Sequence, residues 1–429
     1  MTATSFDPQS VAGLSVRDII DKQAAETPNR VFIIDPSRDK TVTWGRLKQS
    51  CEAIEFRLVY DGYEPGESVG YAMHNGADAV QIICGILYGG HVATAVNLVS
   101  GKATIAHVLK HSEMRVVFCQ NNTLLLLEEA MGKPLEPVAD TTPDTCSSPL
   151  ALTVDPTLFH GHVNPALDHR PAPFDDGLLM YTSGTTGTPK GVVLTHESLI
   201  AGGCNTALAH ELTAADCGLC VLPLYHINAF CVSLMGALVS GGSLIMPNRF
   251  SVTHFWNQLR NNNGTWFSVV PTQVSYLLHE AQTNGHDTTG LEALRFGRSA
   301  SAPLSPDVQQ AFEEQFAVPV IETMGLTETA AQVLSNPMRG TRKIGSPGIA
   351  YGNEVIIADT GQNECPRGEE GEVLVRGPNV MRCYRKNSEA TDRAFTRDGW
   401  LRTGDLGRMD EDGYVTITGR LKELIIKGG

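Results

Sequence analysis

The sequence predicts an α/β fold with two doubly wound subdomains of mainly parallel sheets, followed by a small β-rich, barrel-like subdomain. Strand-like and helix-like segments alternate up to about residue 340, and a polar, proline-rich stretch at 134–173 predicts a linker between the first two subdomains. Short alternating strands with glycine and proline between them follow. We therefore predict subdomains at 1–170, 171–340 and 341–418, and a short final segment at 419–429.

The individual elements follow from hydrophobic periodicity. Apolar residues at helical spacing, such as Val16, Ile19 and Ile20, predict a helix, and uninterrupted apolar runs predict buried strands. The predicted elements are a helix at 16–25, strands at 31–34 and 68–73, a helix at 77–88, and strands at 114–120, 354–358, 371–376 and 414–418.

The composition is that of a folded, acidic chain. With 42% hydrophobic residues over 429 positions, the chain can bury several cores. The 33 Lys and Arg residues against 47 Asp and Glu residues give a net charge of −14, which argues against nucleic acids and anionic membranes as partners. The first residues lack the pattern of a signal peptide, and no apolar run approaches the roughly 18 residues of a membrane span. We therefore expect a soluble, cytoplasmic protein.

The ten cysteines are spread along the chain and do not form the framework of a small disulfide-rich protein. Cys217 and Cys220 have the C-x-x-C spacing of metal and redox sites. They run into the apolar Val221 and Leu222 and have no second cysteine pair or ligand histidine nearby. We interpret them as buried structural residues.

The stretch YTSGTTGTPKG at residues 181–191 carries the most chemical information. It follows an apolar, strand-like run at 177–181. Gly184, Gly187 and Gly191 allow the backbone to turn and to bring N–H groups close to an anion, and Lys190 supplies positive charge. Additional hydroxyl donors come from Ser183, Thr185, Thr186 and Thr188. The combination predicts a loop that binds a nucleotide triphosphate.

This stretch has two other interpretations. A P-loop requires a Ser or Thr after the lysine as a magnesium ligand, but Gly191 follows Lys190 here. A solvated turn is the ordinary meaning of a segment rich in Gly and Thr. The length of the stretch and its position behind a buried strand favour the binding loop.

The stretch resembles the signature loop of the adenylate-forming superfamily, which includes acyl-CoA synthetases, luciferases and the adenylation domains of peptide synthetases. Further motifs lie in the order expected for that superfamily: PLYHINA at 223–229, MGLTET at 324–329, GEVLVRGP at 371–378, GWLRTGDL at 399–406 and GRLKE at 419–423. The resemblance extends from about residue 20 to the end of the chain. It implies the large N-terminal domain of such an enzyme, with the smaller C-terminal domain missing.

This resemblance implies two half-reactions. A carboxylate attacks the α-phosphorus of ATP to give an acyl-adenylate and pyrophosphate, and the thiol of coenzyme A then attacks the acyl group. ATP, Mg²⁺ and coenzyme A are therefore the expected cofactors, and a small carboxylic acid is the expected substrate. Catalysis of this kind depends mainly on positioning and charge neutralisation.

The resemblance also implies a task for each motif. Lys190 is expected to hold the β- and γ-phosphates, Thr327 to contact the α-phosphate, and Glu328 to coordinate Mg²⁺. Asp405 is expected to bind the ribose hydroxyls, with Arg420 as its partner. The other expected nucleotide contacts are Thr182, Ser183, Gly184, Thr185, Thr186, Gly187, Ser301, Ala302, Pro303, Met324 and Gly325.

Two positions differ from the residues that are common in this superfamily, and a third corresponds to its hinge. Met324 stands where an aromatic residue is common, although a thioether can still pack on a purine. Cys383 replaces a common glycine. Lys422 corresponds to the hinge residue about which the C-terminal domain rotates. The catalytic lysine of that domain is absent, so we expect these 429 residues to bind ATP and the acid but to form the adenylate poorly.

Two features of the sequence narrow the expected class of acid substrate. Amino-acid-adenylating domains carry an aspartate near the start of the motif at 223–229, and this chain has none, which favours an acid without an α-amino group. His226 corresponds to the acyl-ligase histidine beside the reacting carboxylate. The sequence LRFGRSASAPL at 294–304 and its neighbouring segments resemble oxalate–CoA ligases and related ligases for small anionic acids.

This likeness implies a role for Arg298 in substrate choice. Its guanidinium can pair bidentately with a second carboxylate or a sulfonate. His226, Asn228, Ser299 and Ser301 are expected to complete a polar pocket. The alternative is an Arg298 that faces a surface acid.

Three hypotheses therefore stand at this point. The first is an acid–CoA ligase for a small polar or doubly anionic acid of the oxalate, sulfoacetate or malonate type. The second is an aryl or medium-chain acyl-CoA ligase in which Arg298 is peripheral. The third is a non-catalytic protein that has kept only nucleotide binding.

Overall fold

The structure is a computed structural model, and it describes residues 6–137, 149–160, 169–182, 188–285 and 287–421. Helices and strands alternate along the first two thirds of the chain, and the strands form three sheets. The predicted α/β class is therefore confirmed.

The strands are β1 Val31–Asp35, β2 Lys40–Thr43, β3 Ser68–Ala72, β4 Val92–Ala95, β5 Val116–Cys119, β6 Leu150–Thr153, β7 Asp176–Thr182, β8 Lys190–Thr195, β9 Cys217–Cys220, β10 Ser243–Ile245, β11 Trp266–Val269, β12 Phe296–Ser299, β13 Val320–Leu326, β14 Ala331–Ser335, β15 Ile349–Ala350, β16 Glu354–Ala358, β17 Glu370–Arg376, β18 Cys383–Tyr384, β19 Leu401–Met409 and β20 Val415–Arg420.

The α-helices are α1 Val16–Glu26, α2 Trp44–Tyr60, α3 Ala77–Tyr88, α4 Lys102–His111, α5 Asn121–Met131, α6 His196–Ala209, α7 Gly236–Ser240, α8 Val252–Asn261, α9 Pro271–Asn284, α10 Pro306–Phe316 and α11 Ser388–Ala394. A π-helical segment, Asn228–Met235, runs directly into α7. Short 3₁₀ turns cover Pro8–Val11, Pro156–His160 and Thr327–Thr329.

The first sheet has seven strands in the order β18-β8-β7-β4-β3-β5-β6. Strands β7, β4, β3, β5 and β6 are parallel neighbours, whereas β8 and β18 add to the edge in antiparallel fashion. Every residue of β3 and β4 is buried, because helices cover both faces of such a sheet. Burial on both faces explains why these strands read as continuous apolar runs.

The second sheet has nine strands in the order β15-β14-β13-β12-β11-β9-β10-β1-β2. Its central strands are parallel, from β1 through to β13. Antiparallel strands close both edges, with β2 at one end and the β14–β15 pair at the other. Because β1 and β2 pair here, the first strands of the chain belong to the second sheet.

The third sheet has four antiparallel strands in the order β16-β17-β19-β20. Its core is shared with the second sheet, because Val333 and Leu334 of β14 pack with Ile357, Val373 and Val375. The β13–β14 hairpin therefore lies where the second and third sheets meet. That hairpin carries several of the predicted site residues.

The elements predicted from periodicity are present in the structure. The helices at 16–25 and 77–88 correspond to α1 and α3, and the strands at 31–34, 68–73 and 114–120 correspond to β1, β3 and β5. The strands at 354–358, 371–376 and 414–418 correspond to β16, β17 and β20. The proline-rich stretch at 134–173 was predicted to be a linker, yet it contains β6, which extends the first sheet parallel to β5.

Cys217 and Cys220 are the ends of the buried strand β9. Burial raises the pKa of Cys217 to about 12 and that of Cys220 to about 11, so both thiols stay protonated near neutral pH. The described residues contain no group of three or more His, Cys, Asp or Glu side chains that could hold a metal. None of the helices within the described ranges combines the length and the apolar composition that a membrane-spanning segment needs.

Candidate active site

The predicted phosphate loop connects β7 to β8 at the edge of the first sheet. These strands are antiparallel, and Thr182 at the end of β7 is paired with Lys190 at the start of β8. The loop residues Ser183, Gly184, Thr185, Thr186 and Gly187 lie outside the described residues, so their predicted contacts stay a prediction.

Gly191 differs from its expected role in a turn, because it lies inside the strand β8. A Cβ atom at this position would lie 2.9 Å from Cδ1 of Leu179 and 3.2 Å from Cζ of Tyr181. Side chains on β7 therefore fill the space that a larger residue would need.

Lys190 and Glu328, which lie far apart in the sequence, contact the same tyrosine. The Nζ atom of Lys190 lies 3.7 Å from the centroid of the Tyr384 ring. The Tyr384 hydroxyl donates a hydrogen bond of 2.8 Å to Oε1 of Glu328. We call these three residues the Lys190–Tyr384–Glu328 cluster. It brings the expected phosphate-binding lysine and the expected metal-binding carboxylate together.

A tight turn between β13 and β14 presents Thr327 and Glu328. Two residues of the turn, Ala330 and Ala331, have positive φ angles of 47° and 76°. The Thr329 hydroxyl oxygen accepts a hydrogen bond of 3.0 Å from the Leu326 N–H and donates one of 2.9 Å to the Ala331 carbonyl. These bonds satisfy backbone groups at the turn and fix its shape.

Gly325 makes this hairpin possible. A Cβ atom at Gly325 would lie 1.6 Å from the carbonyl oxygen of Ala331, which no side chain could tolerate. The two strands approach this closely because the pairing register shifts between Met324 and Gly325. Gly325 was expected to contact the nucleotide, and the structure gives it a steric task in the backbone.

The half-buried carboxylate of Glu328 fits a magnesium ion that is bound mainly through the phosphate oxygens of ATP. Mg²⁺ commonly takes one or two carboxylates from the protein and completes its shell with phosphate oxygens and water. Glu328 offers a hard oxygen ligand, and the described residues add no multi-residue metal cluster. When bound, Mg²⁺ would neutralise charge on the phosphates of ATP.

Asp405 and Arg420 form the expected pair on neighbouring strands. They are directly opposite each other on β19 and β20, and Nε of Arg420 lies 2.7 Å from Oδ1 of Asp405. The Asp405 side chain is buried whereas that of Arg420 is mostly exposed. A buried, oriented carboxylate of this kind can accept hydrogen bonds from two vicinal hydroxyls.

The expected adenine contacts lie at the ends of β12 and β13. Ser301, Ala302 and Pro303 are exposed just beyond β12, and Ser301 has a positive φ of 76°. Met324 is half-buried and packs against the core that the second and third sheets share.

The buried carboxylate of Glu322 lies beside the adenine segment, and the sequence analysis gave it no role. Its Oε1 accepts a hydrogen bond of 3.1 Å from the Leu304 N–H, whereas Oε2 has no hydrogen-bond partner among the described residues. Burial raises the pKa of this carboxyl group. A buried polar atom without a partner is able to bind a polar ligand atom.

His226 and Thr327 line one cavity of about 360 Å³. Tyr181, Thr182 and Tyr225 line the same cavity, so it also reaches the start of the predicted phosphate loop. The His226 side chain is exposed into this space, and partial burial lowers its pKa below the ordinary value. The lowered pKa favours the neutral imidazole, which can hydrogen-bond a reacting group without adding positive charge.

Tyr71 of β3 and Asn75, just beyond that strand, fix the loop that carries His226. Asn75 donates to the Leu222 carbonyl at 2.7 Å and accepts from the Leu224 N–H at 3.0 Å. The Tyr71 hydroxyl donates to the Leu224 carbonyl at 3.0 Å. Both side chains are buried, so the position of His226 is set by the packing of two sheets against each other.

Arg298 lies inside the molecule, on β12, and only 2% of it is exposed. It donates to Oδ1 of Asn228 at 2.6 Å, to Oγ of Ser268 at 3.1 Å and to Oε1 of Gln332 at 3.2 Å. All three partners are neutral, and no carboxylate among the described residues lies within ion-pair distance. The alternative of an Arg298 that faces a surface acid is therefore wrong.

Burial alone lowers the pKa of Arg298 to about 9, so the guanidinium remains charged at neutral pH. The Asn228 side chain also donates to Oγ of Ser301 at 3.3 Å, which links Arg298 to the segment beyond β12. The Ser299 hydroxyl is buried and has no hydrogen-bond partner among the described residues. Hydrogen bonds thus connect Arg298, Asn228 and Ser301, whereas Ser299 bonds to none of them and His226 lines the cavity described above, so the shared polar pocket stays a prediction.

Residues 20–385 match the family described as AMP-binding enzyme. This chain belongs to that family. The sulfoacetate–CoA ligase of Cupriavidus necator is 41% identical over 414 residues, which are 96% of this chain and 79% of that protein. The oxalate–CoA ligase of Arabidopsis thaliana is 32% identical over 431 residues, covering 99% of this chain and 81% of that protein.

Among solved structures, the ATP-bound MatB from Rhodopseudomonas palustris has a TM-score of 0.83 at 25% identity and covers 95% of this chain and 79% of that one. The comparisons confirm the predicted superfamily and the class of enzyme, an AMP-forming acid–CoA ligase that uses ATP and coenzyme A.

The sequence analysis of this AMP-binding enzyme missed four residues that the structure places at the site: Ser268, Glu322, Gln332 and Tyr384. Each of them contacts a predicted residue or segment through a hydrogen bond to a distant part of the chain. The one sign of Tyr384 in the sequence is its neighbour Cys383, which stands where glycine is common. Lys422 lies outside the described residues, and its role as a hinge stays a prediction.

Proposed function

We propose that this AMP-binding enzyme joins coenzyme A to a small acid that carries a second anionic group, of the oxalate, sulfoacetate or malonate type. The substrates named for two relatives, sulfoacetate and oxalate, each have two acidic groups. The observation that carries the proposal is the buried guanidinium of Arg298, which has only neutral partners among the described residues.

A buried cation without a counter-charge is costly, because its hydration is lost and no ion pair replaces it. Asn228, Ser268 and Gln332 satisfy Nε and Nη1 of Arg298 by hydrogen bonds but contribute no negative charge. Nη2 has no hydrogen bond to a described residue. A carboxylate or sulfonate of the substrate would supply both the charge and the missing acceptor.

The position of Arg298 also favours a short acid. Its closest partner, Asn228, is two residues beyond His226, at the start of the π-helical segment. An acid with one anionic group at Arg298 would need little length to place its reacting carboxylate near His226. Irregular helical segments of this kind are frequent at functional sites.

In the proposed reaction, an oxygen of that carboxylate forms a bond to the α-phosphorus of ATP, and the bond from this phosphorus to the pyrophosphate oxygen breaks. The thiol sulfur of coenzyme A then bonds to the acyl carbon, AMP leaves with the electrons of the carbon–oxygen bond, and the thiol proton is released. Lys190 and Thr327 bind phosphate oxygens in this scheme, and Asp405 with Arg420 holds the ribose.

We also propose that the protein is cytoplasmic. The nine cysteines for which the structure describes a state are free thiols, most of them buried. Reduced cysteines support a compartment that keeps thiols reduced.

Acid-dependent release of pyrophosphate from ATP tests the proposal directly. We expect oxalate, sulfoacetate or malonate to support release and CoA thioester formation at least tenfold better than acetate, benzoate or octanoate, since an unpaired buried group discriminates strongly against a ligand that lacks its partner. A preference for benzoate or octanoate would favour an aryl or medium-chain ligase. ATP binding with neither pyrophosphate release nor binding of any acid would favour the non-catalytic protein, because an acid ligase that forms the adenylate slowly should still bind its acid.

A further inference from the structure

Tyr384 is the one described side chain that contacts both ends of the expected phosphate and metal site. Its ring face receives the Lys190 ammonium at 3.7 Å, and its hydroxyl reaches Glu328 at 2.8 Å. We infer that Tyr384 is a positioning residue that holds the lysine for the phosphates and the carboxylate for Mg²⁺ in fixed relation to each other. This inference rests on the roles proposed above for Lys190 and Glu328.

The two contacts suit this task for different electrostatic reasons. An aromatic face attracts an ammonium group but carries no net charge, so this contact does not form an ion pair with Lys190. A carboxylate in the same place would form an ion pair with the lysine and compete with the phosphates of ATP. Tyr384 thus orients Lys190 without neutralising it.

The hydroxyl contact orients Glu328 in a complementary way. The tyrosine O–H occupies Oε1 of Glu328 and leaves the other carboxylate oxygen available for a metal ion. An ordinary tyrosine hydroxyl, with a pKa of about 10, is a hydrogen-bond donor at neutral pH, so the contact with Glu328 needs no unusual ionisation.

The backbone around Tyr384 ties the same two parts of the fold together. Tyr384 belongs to β18, whose residues pair with β8, the strand that begins at Lys190. On one side the Met381 N–H donates to the Glu328 carbonyl at 2.8 Å, and on the other the Arg385 N–H donates to the Gly191 carbonyl at 2.8 Å. Only 6% of Tyr384 is exposed, so its ring has little freedom to leave this position.

Two substitutions separate the two contacts. Tyr384→Phe removes the hydroxyl and keeps the ring, whereas Tyr384→Leu removes both. ATP binding is measured by calorimetry in EDTA and at saturating Mg²⁺, and the melting temperature of the free protein is recorded in parallel.

We expect Tyr384→Phe to bind ATP with normal affinity in EDTA. The increase in ATP affinity that Mg²⁺ causes should be about tenfold smaller than in the unmodified protein, which is the usual effect of losing a hydrogen bond to a charged group. We expect Tyr384→Leu to weaken binding about fivefold in EDTA as well, because Lys190 loses its aromatic contact.

Tyr414 provides a matched control. The Lys343 ammonium lies 4.4 Å from the centroid of its ring, and its hydroxyl donates to the Thr341 carbonyl at 2.5 Å. Tyr414→Phe therefore removes a similar hydroxyl from a similar lysine–tyrosine contact on the third sheet. We expect it to change the melting temperature and to leave the Mg²⁺ effect on ATP binding unchanged.

Two results would overturn the inference. One is a Tyr384→Phe protein whose Mg²⁺ effect equals that of the unmodified protein while Glu328→Gln abolishes it, which leaves the proposed role of Glu328 intact. The other is a Glu328→Gln protein with a normal Mg²⁺ effect, which removes the role of Glu328 and the inference with it.

Discussion

At the scale of single residues, Arg298 is unusual because burial removes the hydration of its positive charge and no described carboxylate replaces it. Two of its three acceptors have a second donor: Ser268 also donates to Oδ1 of Asn228 at 3.3 Å, and the neutral His210 contacts Oε1 of Gln332 at 3.1 Å. Removing the guanidinium would therefore leave these oxygens with a donor. The cost of the buried charge would disappear with it.

We accordingly expect Arg298→Met to keep the free energy of unfolding within about 1 kcal/mol of the original value or to raise it, because the unbranched, apolar side chain of Met fills the space of the buried cation. Denaturation by urea would measure this. Arg17 is the matched control, since it is also buried but pairs with Glu55 at 2.6 Å. Arg17→Met should cost about 3 kcal/mol or more, because it leaves a buried carboxylate unpaired. An equal loss in both variants would contradict the view that Arg298 lacks a protein counter-charge.

At the scale of elements, the β13–β14 hairpin connects the two ends of the site. Its turn presents Thr327 and Glu328, while Gln332 on its second strand binds Arg298. The hairpin can do this only while its strands stay close, which requires a glycine at 325.

We expect Gly325→Ala to destabilise the fold by about 3 kcal/mol or more and to weaken ATP binding, because the added Cβ must push the strands apart. Thermal unfolding and ATP titration would show both effects. Gly419→Ala is the control for stability, since a Cβ there meets nothing within 4 Å and this glycine also lies in a strand. A stable Gly325→Ala protein with normal ATP binding would show that the hairpin has more freedom than its geometry indicates.

Several elements were predictable from the sequence because their signals are local. Continuous apolar runs predicted β1, β3 and β5, and their burial in parallel sheets is the physical reason for that pattern. The short strand β6 was missed, because four residues in a proline-rich stretch become a strand only by pairing with β5. This strand therefore depends on the edge of a sheet that other parts of the chain form.

The same distinction applies to the candidate site. Motifs supplied Lys190, Glu328, Asp405 and Arg298, whose residue types and order are visible in the sequence. The contacts of Tyr384 and Gln332 join segments that are distant along the chain, so no local pattern could reveal them. Whether Arg298 was buried or exposed also depended on where β12 lies in the second sheet.

At the scale of the whole molecule, buried histidines make stability depend on pH. His91, His196 and His210 are fully buried. Burial lowers the pKa of His91 and of His196 to about 4 and that of His210 to about 3, from an ordinary value of 6.5. They are neutral in the folded state, so unfolding takes up protons wherever the pH lies below about 6.5.

We therefore expect stability to be independent of these groups above pH 6.5 and to fall as the pH drops from 6.5 towards 4, by up to about 1.4 kcal/mol per pH unit for each histidine. Urea denaturation between pH 7 and pH 4.5 would measure the slope. His91→Leu should flatten the slope by the share of one histidine, whereas replacement of the exposed His279 by Gln should not change it. An unchanged slope in His91→Leu would mean that His91 is protonated in the folded protein.

The central claim is that a buried Arg298 selects acids with a second anionic group. Calorimetric titration of oxalate, sulfoacetate, malonate and acetate into the ATP-bound protein, with and without Arg298→Met, tests it most directly. The account predicts that the unmodified protein binds one of the doubly anionic acids at least a hundredfold more tightly than acetate, and that Arg298→Met removes most of this difference. Equal binding of acetate and the doubly anionic acids, or a preference that survives in Arg298→Met, would contradict it.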